Sequence, residues 1–594
     1  MDIQHIIKSV NVDADGLRSA VHQLIHKSAV AFNPSHWKPE EANKLRKTIL
    51  DQIVFRGTPP DWRTFPTKVE TIDCIETDNG YQIEKLRLEI LPDFWIPALL
   101  YQPHLPKLHK LRPAVLSVNG HVGPLGKSIE FVQRRCINLA KRGIMTLHLE
   151  WLSFGELTDP NYTHNRLAYL DLCGVSGLSV FYLAMRGGLD FLWEHPFVIK
   201  KKIAMTGLSG GGWQTIFLSA LDQRISVAIP NAGYIDISNR LTHASDIGDL
   251  EQNPNDLLTL ADYTHLTALL SPRPALLIYN HQDDCCFVAD RAKPAIYDSV
   301  KSIYRTSNNF VFYKNISPGT HNYDEDNRKQ LYHFLCKHFD LPIIQDGGLE
   351  LESEVLSFED LVVGLPDKTA NFKTIANKIM YQKKLEASQL PPKLQHILRY
   401  QSTSVSRVEL THQKDKGGQL IFDNGLLAAF CQFKPERDTR DNNTIILIAD
   451  QGFTSMITEI ENHLNMGNSV LAVELFLTGQ VIPTGMSVYH TSMLLSTSGL
   501  RALGFQVAQL VSILEWYRYV YKSERLILES KGKVTGIIAE LAKQLYSGHL
   551  ENNIAKDQLL SLRDLIDKEI EYEQCPTLFC FDLLGHMNSK LPTG

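Results

Sequence analysis

Nine cysteines in 594 residues are too few and too scattered for a disulfide scaffold. None stands in a C-x-x-C pair and no H-E-x-x-H occurs, so spacing offers no metal site and none is expected. Long apolar runs are also missing. No stretch reaches the length of a membrane span, and the start, Met1 to Val10, lacks the basic and apolar regions of a secretion signal. The chain as written is therefore expected to be cytoplasmic, and secreted only if a signal has been removed. Basic tracts are absent as well, and the formal net charge is −6. Nucleic acid and membrane are excluded as expected partners on that ground.

What remains is an ordinary globular composition, 44% hydrophobic and 21% charged, in a chain long enough for more than one domain. Residues 1–66 read as a helical extension ending in a Pro/Trp-rich stretch. Residues 67–102 alternate as strands, with the turn signal Asp78-Asn-Gly between the first two, and predict an antiparallel lead-in at a sheet edge. From Arg112 the rhythm becomes strand, helix, strand, the pattern of a mostly parallel twisted α/β sheet flanked by helices. This domain is expected to run over 67–345. Residues 234–270 interrupt it with an acidic insertion that should lie over the site. An acidic, loop-like stretch at 346 opens the final segment, 346–594.

Residues 207–212 read Gly-Leu-Ser-Gly-Gly-Gly, after an apolar strand and before a helix. A G-x-S-x-G in that setting predicts a sharp strand-to-helix turn, a nucleophile elbow that lifts Ser209 out of the sheet. The competing reading is a glycine-rich turn whose serine caps the helix. A serine hydroxyl needs a base, and the base an orienting acid. Downstream, a strand at 275–279 runs into Asn280-His-Gln-Asp-Asp284, so Asp283 or Asp284 is the candidate acid. The next strand leads to Pro318-Gly-Thr-His321, a loop suited to presenting a general base. Gly210, which follows the serine, is one candidate oxyanion donor. The other is His121 or Val122, in the loop Asn119-Gly-His-Val-Gly123. Glu150, Trp151 and Tyr234 are candidate pocket residues. Glu150 reads equally well as structural.

That second reading comes from an internal echo. Gly143–Gly155 aligns without gaps to Gly467–Gly479, with Glu474 matching Glu150. Carried forward, the frame sets Lys531 opposite Ser209, so the second copy lacks the serine. A last strand is predicted at 576–581. The final segment is expected to be a second, degenerate α/β-hydrolase-like domain, non-catalytic.

The loop at 119–123, the elbow at 207–211 and Asp283 with His321 together resemble the α/β-hydrolase superfamily, and most closely its acetyl xylan esterase and prolyl-oligopeptidase-like branch. The resemblance implies a serine esterase with Ser209, His321 and Asp283 as a catalytic triad, an acyl-enzyme and no cofactor. It implies a small-molecule or carbohydrate ester, acetyl or another small acyl, as substrate. Glu150 stands where the branch has aspartate, and Cys285-Cys-Phe287 replaces its Pro-containing turn. The alternatives are a prolyl-oligopeptidase-type peptidase, against which no blade-length repeat occurs, and a non-catalytic binding protein.

Overall fold

The computed structural model describes residues 3–104, 110–304, 307–344, 350–385, 394–411, 417–436, 443–523 and 525–587. The chain divides into two compact units. One comprises Val30–Leu170 and Val175–Lys378, the other Met1–Ala29, Asp171–Gly174 and Ile379–Gly594. The boundary expected at 345 falls on residues 345–349, outside those described.

Among the described residues the first unit has nine strands: β1 (Lys68–Glu76), β2 (Tyr81–Leu91), β3 (Phe94–Pro103), β4 (Arg112–Val118), β5 (Met145–Leu149), β6 (Val198–Leu208), β7 (Val227–Asn231), β8 (Ala275–Asn280) and β9 (Phe310–Asn315). Their order is β1-β2-β3-β5-β4-β6-β7-β8-β9. The lead-in β1 to β3 is antiparallel and joins β5 antiparallel. From β5 onward all neighbours are parallel. β3 and β4 are buried along almost their whole length, as strands covered on both faces must be. The helix Gly210–Leu221 is buried at every residue, so its apolar residues are not confined to one stripe and it carries no charged residue.

Register decides what meets at the sheet's end. Val118 pairs with Gly207 and Leu208 with Asn231, so β4, β6 and β7 finish level. The loops after β4, β6, β8 and β9 leave this carboxyl edge, where open parallel sheets hold their sites. They carry His121, Ser209, Asp283 and His321.

Among the described residues the second unit has seven strands: β10 (Val405–Leu410), β11 (Gly417–Phe422), β12 (Leu427–Phe433), β13 (Thr444–Ala449), β14 (Ser469–Glu474), β15 (Leu526–Lys531) and β16 (Asn552–Lys556). Their order, β10-β11-β12-β14-β13-β15-β16, repeats that of the first seven strands of the other sheet. The strand predicted at 576–581 does not form. Pro576–Leu578 is a 3₁₀ turn and the run is buried as irregular chain, Pro576 having no N–H for a ladder.

The N-terminal extension is not one body. Helix Ala14–Ser28 buries Leu17, Val21 and Ile25 in the second unit, and the Asp13 amide donates to Gln419 there. Helix Pro39–Ile49 belongs to the first unit, where Arg46 Nε donates to the Ala220 carbonyl at 2.9 Å.

Candidate active site

Ser209 stands between the last residue of β6 and the first turn of helix Gly210–Leu221, with φ 59° and ψ −121°. Such a backbone is strained for a residue with a side chain, by about 1–3 kcal/mol, and persists only where its surroundings fix it. Two bonds fix it: its N–H donates to the Asn231 carbonyl and its C=O accepts from Trp213, both at 2.9 Å. A Cβ on Gly207 would lie 2.7 Å from the Gly211 backbone, and one on Gly211 2.9 Å from the Val118 carbonyl oxygen, so both ends of the turn are glycine. The serine side chain makes no capping bond and is half-buried. The helix-cap reading of this serine therefore fails.

His321 and Asp283 come from the loops after β9 and β8. His321 Nδ1 lies 2.8 Å from Asp283 Oδ1 and 2.9 Å from Oδ2. Asp283 also accepts from Asn280 Nδ2 at 2.8 Å and from the amides of Cys285 and Cys286 at 3.1 Å. Asp284 has a different task, accepting the His321 backbone N–H at 2.8 Å. Burial would raise the Asp283 carboxyl, but His321 and these donors outweigh it and hold it below the usual carboxylate range. Burial would likewise lower His321, yet Asp283, helped by Cys285 and Asp284, raises it.

The loop after β4 lies against the elbow. A Cβ on Gly120 would come within 2.6 Å of the Gly210 nitrogen. Gln214 Nε2 donates to the Asn119 carbonyl at 2.7 Å, and His148 Nε2 meets Asn119 Oδ1 at 3.1 Å. The amides of Gly210, His121 and Val122 have no acceptor among the described residues.

The three candidate pocket residues are corrected by burial. Trp151, 1% exposed, packs among Phe181, Trp213 and His164. Tyr234 is fully buried, its carbonyl taking the Tyr279 hydroxyl at 2.8 Å. Glu150 is fully buried too: Oε1 accepts the Lys127 amide at 2.9 Å and Oε2 the Glu156 amide at 3.2 Å. Glu474 repeats this in the second unit, accepting from Phe453 at 2.7 Å and Gln480 at 3.1 Å. Glu150 is thus a clamp between two loops.

Spacing alone missed a cluster at the rim. His121 Nε2 meets the Asp249 carboxylate, joining the loop after β4 to the insertion. His164 Nδ1 lies 3.4 Å from Asp249 and 3.2 Å from Glu251. Burial would lower His164, but the two carboxylates raise it to about 10. Cys285, whose Sγ approaches that of Cys286 to 3.2 Å, lies near His321 as well. These groups come from loops far apart in sequence, where no fixed spacing signals them.

No family model matches the chain, and no curated protein does. Among the solved structures it is similar to are several esterases. A methylesterase is 20% identical over 63% of this chain and 76% of its own, with a TM-score of 0.43. A glucuronoyl esterase from Solibacter usitatus is 12% identical over 51% and 93%, with a TM-score of 0.38. Acetyl xylan esterase 1 from Thermoanaerobacterium sp. is 13% identical over 53% and 98%, with a TM-score of 0.37. Among the described residues no helix is long and apolar enough to cross a membrane.

Proposed function

We propose that the first unit is a serine carboxylesterase acting through an acyl-enzyme. Ser209 Oγ attacks the ester carbonyl while His321 Nε2 takes its proton. Asp283 holds Nδ1–H and stabilises the imidazolium that forms. The oxyanion is received by the Gly210 amide and by that of His121 or Val122. Collapse expels the alcohol, which takes the proton from His321. Water, deprotonated by the same ring, then releases the acid and frees Ser209. The observation that carries the reading is the His321–Asp283 pair at 2.8 Å on the strand edge where an uncapped, strained Ser209 stands.

The substrate class follows the sequence resemblance: an acetyl or other small acyl ester, with a carbohydrate as the alcohol. The second unit is a degenerate, non-catalytic copy in this reading. At its equivalent turn Gly532 precedes helix Lys533–Leu545. There the Asp450 carboxylate takes the Val534 and Thr535 amides at 3.1 and 2.7 Å, so a fixed side chain already caps the helix N-terminus.

Labelling by a fluorophosphonate probe tests the assignment, with Ser209→Ala as control. The wild type is expected to label and to hydrolyse aryl acetates, and the variant to do neither. An unlabelled, inert wild type ends the enzyme reading. Labelling with turnover of aminoacyl amides and not of esters replaces it with the peptidase.

A further inference from the structure

The rim cluster draws on three separate parts of the first unit: His121 after β4, His164 ahead of the helix at 167–172, and Asp249 with Glu251 in the insertion. The ligand-capable atoms of His121, His164 and Asp249 all lie within 4.8 Å of one another. His164 Nδ1 is 3.4 Å from Asp249 Oδ2 and 3.2 Å from Glu251 Oε1. Ligands bound to tetrahedral zinc at roughly 2.0–2.2 Å stand roughly 3.3–3.6 Å apart, so the His164 separations are close to those of a coordination shell, whereas the direct His121–Asp249 contact has to open to admit an ion.

Two further observations point to a cation. His164 Nε2 lies 2.9 Å from the Leu152 carbonyl. Only an N–H can face a carbonyl, so that bond fixes the ring and turns Nδ1 toward the carboxylates, the arrangement that orients metal-ligating histidines. The Glu251 side chain is fully buried, and among the described residues neither of its oxygens has a well-formed hydrogen bond, though Oε1 lies at ion-pair distance, 3.2 Å, from His164 Nδ1. A buried carboxylate is costly, and the charge that faces Glu251 here is the His164 imidazole, which a bound metal ion would replace as the balancing cation. A cation between the rings and the carboxylates answers both oxygens.

We propose that His121, His164, Asp249 and Glu251 bind one divalent transition-metal ion of the zinc class. Two imidazole nitrogens with two carboxylates suit zinc, or cobalt in its place, better than calcium, which takes oxygen ligands. Entry is open: the side chains of His121 and Asp249 are 45% and 35% exposed, while His164 and Glu251 form the floor. The ion would fasten the loop after β4 to the covering insertion. That this loop holds an oxyanion rests on the esterase reading, whereas the metal site does not.

The test uses the full chain, stripped with chelator and titrated with zinc chloride by calorimetry, with bound metal counted by mass spectrometry. One equivalent is expected, with a tetrahedral cobalt spectrum on substitution and no comparable heat from calcium chloride. His164→Gln and Glu251→Gln are each expected to weaken zinc by roughly 100-fold or more. Metal-free circular dichroism and melting check that they fold. If they do not, His121→Gln at the exposed rim gives the same reading. Cys285 and Cys286 could hold zinc with His321, so Cys285→Ser/Cys286→Ser is included and is expected to keep the equivalent. The proposal is overturned if the intact chain binds no zinc, if the rim variants bind it undiminished, or if only the cysteine variant loses it. None of these readings involves ester turnover, so the metal site and the esterase reading stand or fall separately.

Discussion

Asn231 donates through Nδ2 to the backbone carbonyl of Asn322, 3.0 Å away. Its own carbonyl takes the Ser209 amide, so this buried residue at the end of β7 ties the elbow to the chain next to His321. Asn231→Ala keeps the backbone bond and removes the side-chain one. We expect a loss of about 1–3 kcal/mol in stability. Because the histidine loop would be less well placed, kcat should also fall by on the order of 10–100-fold with KM little changed. Steady-state kinetics on an aryl acetate check this. An unaltered kcat would mean that the link does not position the base.

The adjacent aspartates separate by what they hold. Asp283 faces the imidazole, whereas Asp284 takes only a backbone amide. Asp283→Asn should cost on the order of 10⁴-fold in kcat, since the amide no longer selects the working tautomer. Asp284→Asn keeps an acceptor oxygen and should cost about tenfold or less. The reverse ranking would exchange the two assignments.

The pH profile follows from the same pair. His321 is raised, so it stays protonated to higher pH and the base form appears later. The acid limb of kcat/KM should therefore have its midpoint above the ordinary histidine value of roughly 6.5. Asp283→Asn removes the main raising influence, so the limb of its residual activity should move to lower pH. Stability runs the other way. The raised His321 contributes stability that is full below its unfolded pKa and is lost as pH rises through the folded value. The depressed Asp283 contributes above its unfolded pKa and loses it as pH falls through the folded one. The pair thus stabilises most on the acid side of the active range. A wild-type limb at or below the ordinary value contradicts this account.

Local pattern carried much of this site. Ser209 and His321 lie in unbroken strand–loop–helix runs, where apolar strands and glycine turns make the order legible. The succession of strands along the chain was readable for the same reason, because β4 to β9 alternate with helices, while their order in the sheet comes from the fold. The choice between Asp283 and Asp284 was not, since it depends on where Asn280 and the amides of Cys285 and Cys286 point. Trp151 and Tyr234 follow strands, as pocket residues do, yet packing on both sides buries them. His164 and Glu251 sit in short 3₁₀ turns without periodicity and Asp249 just ahead of one, and only the fold brings them to His121.

Glu150 gives a stability prediction distinct from catalysis. Lys127 and Glu150 are both fully buried, with Lys127 Nζ 3.2 Å from the carboxylate. Glu150→Ala strands part of that charge and orphans two amides, and should destabilise by about 3–5 kcal/mol. Glu150→Gln keeps one acceptor and the Lys127–Glu156 pair, and should cost less. Urea unfolding measures both. A change under about 1 kcal/mol for the alanine variant would remove the clamp from the account.

Two glycines of one loop should behave oppositely. A methyl on Gly120 meets backbone and elbow atoms, at 2.6 Å from the Gly210 nitrogen, 2.8 Å from the Leu208 oxygen and 3.1 Å from Ser209 Cβ. None is the end of a flexible side chain, so the loop itself must retreat from the elbow. Gly120→Ala should then separate the oxyanion donors and lower kcat by on the order of 10²–10³-fold, the cost of losing one such donor. Gly123, at φ +66°, has nothing within 4 Å of its would-be methyl. Gly123→Ala meets only the backbone penalty of that conformation, about 1–2 kcal/mol of stability, with kcat nearly kept. Steady-state kinetics beside thermal melts distinguish the two. If Gly120→Ala keeps full kcat, the loop after β4 does not hold the oxyanion, and the second donor must be sought elsewhere on the carboxyl edge.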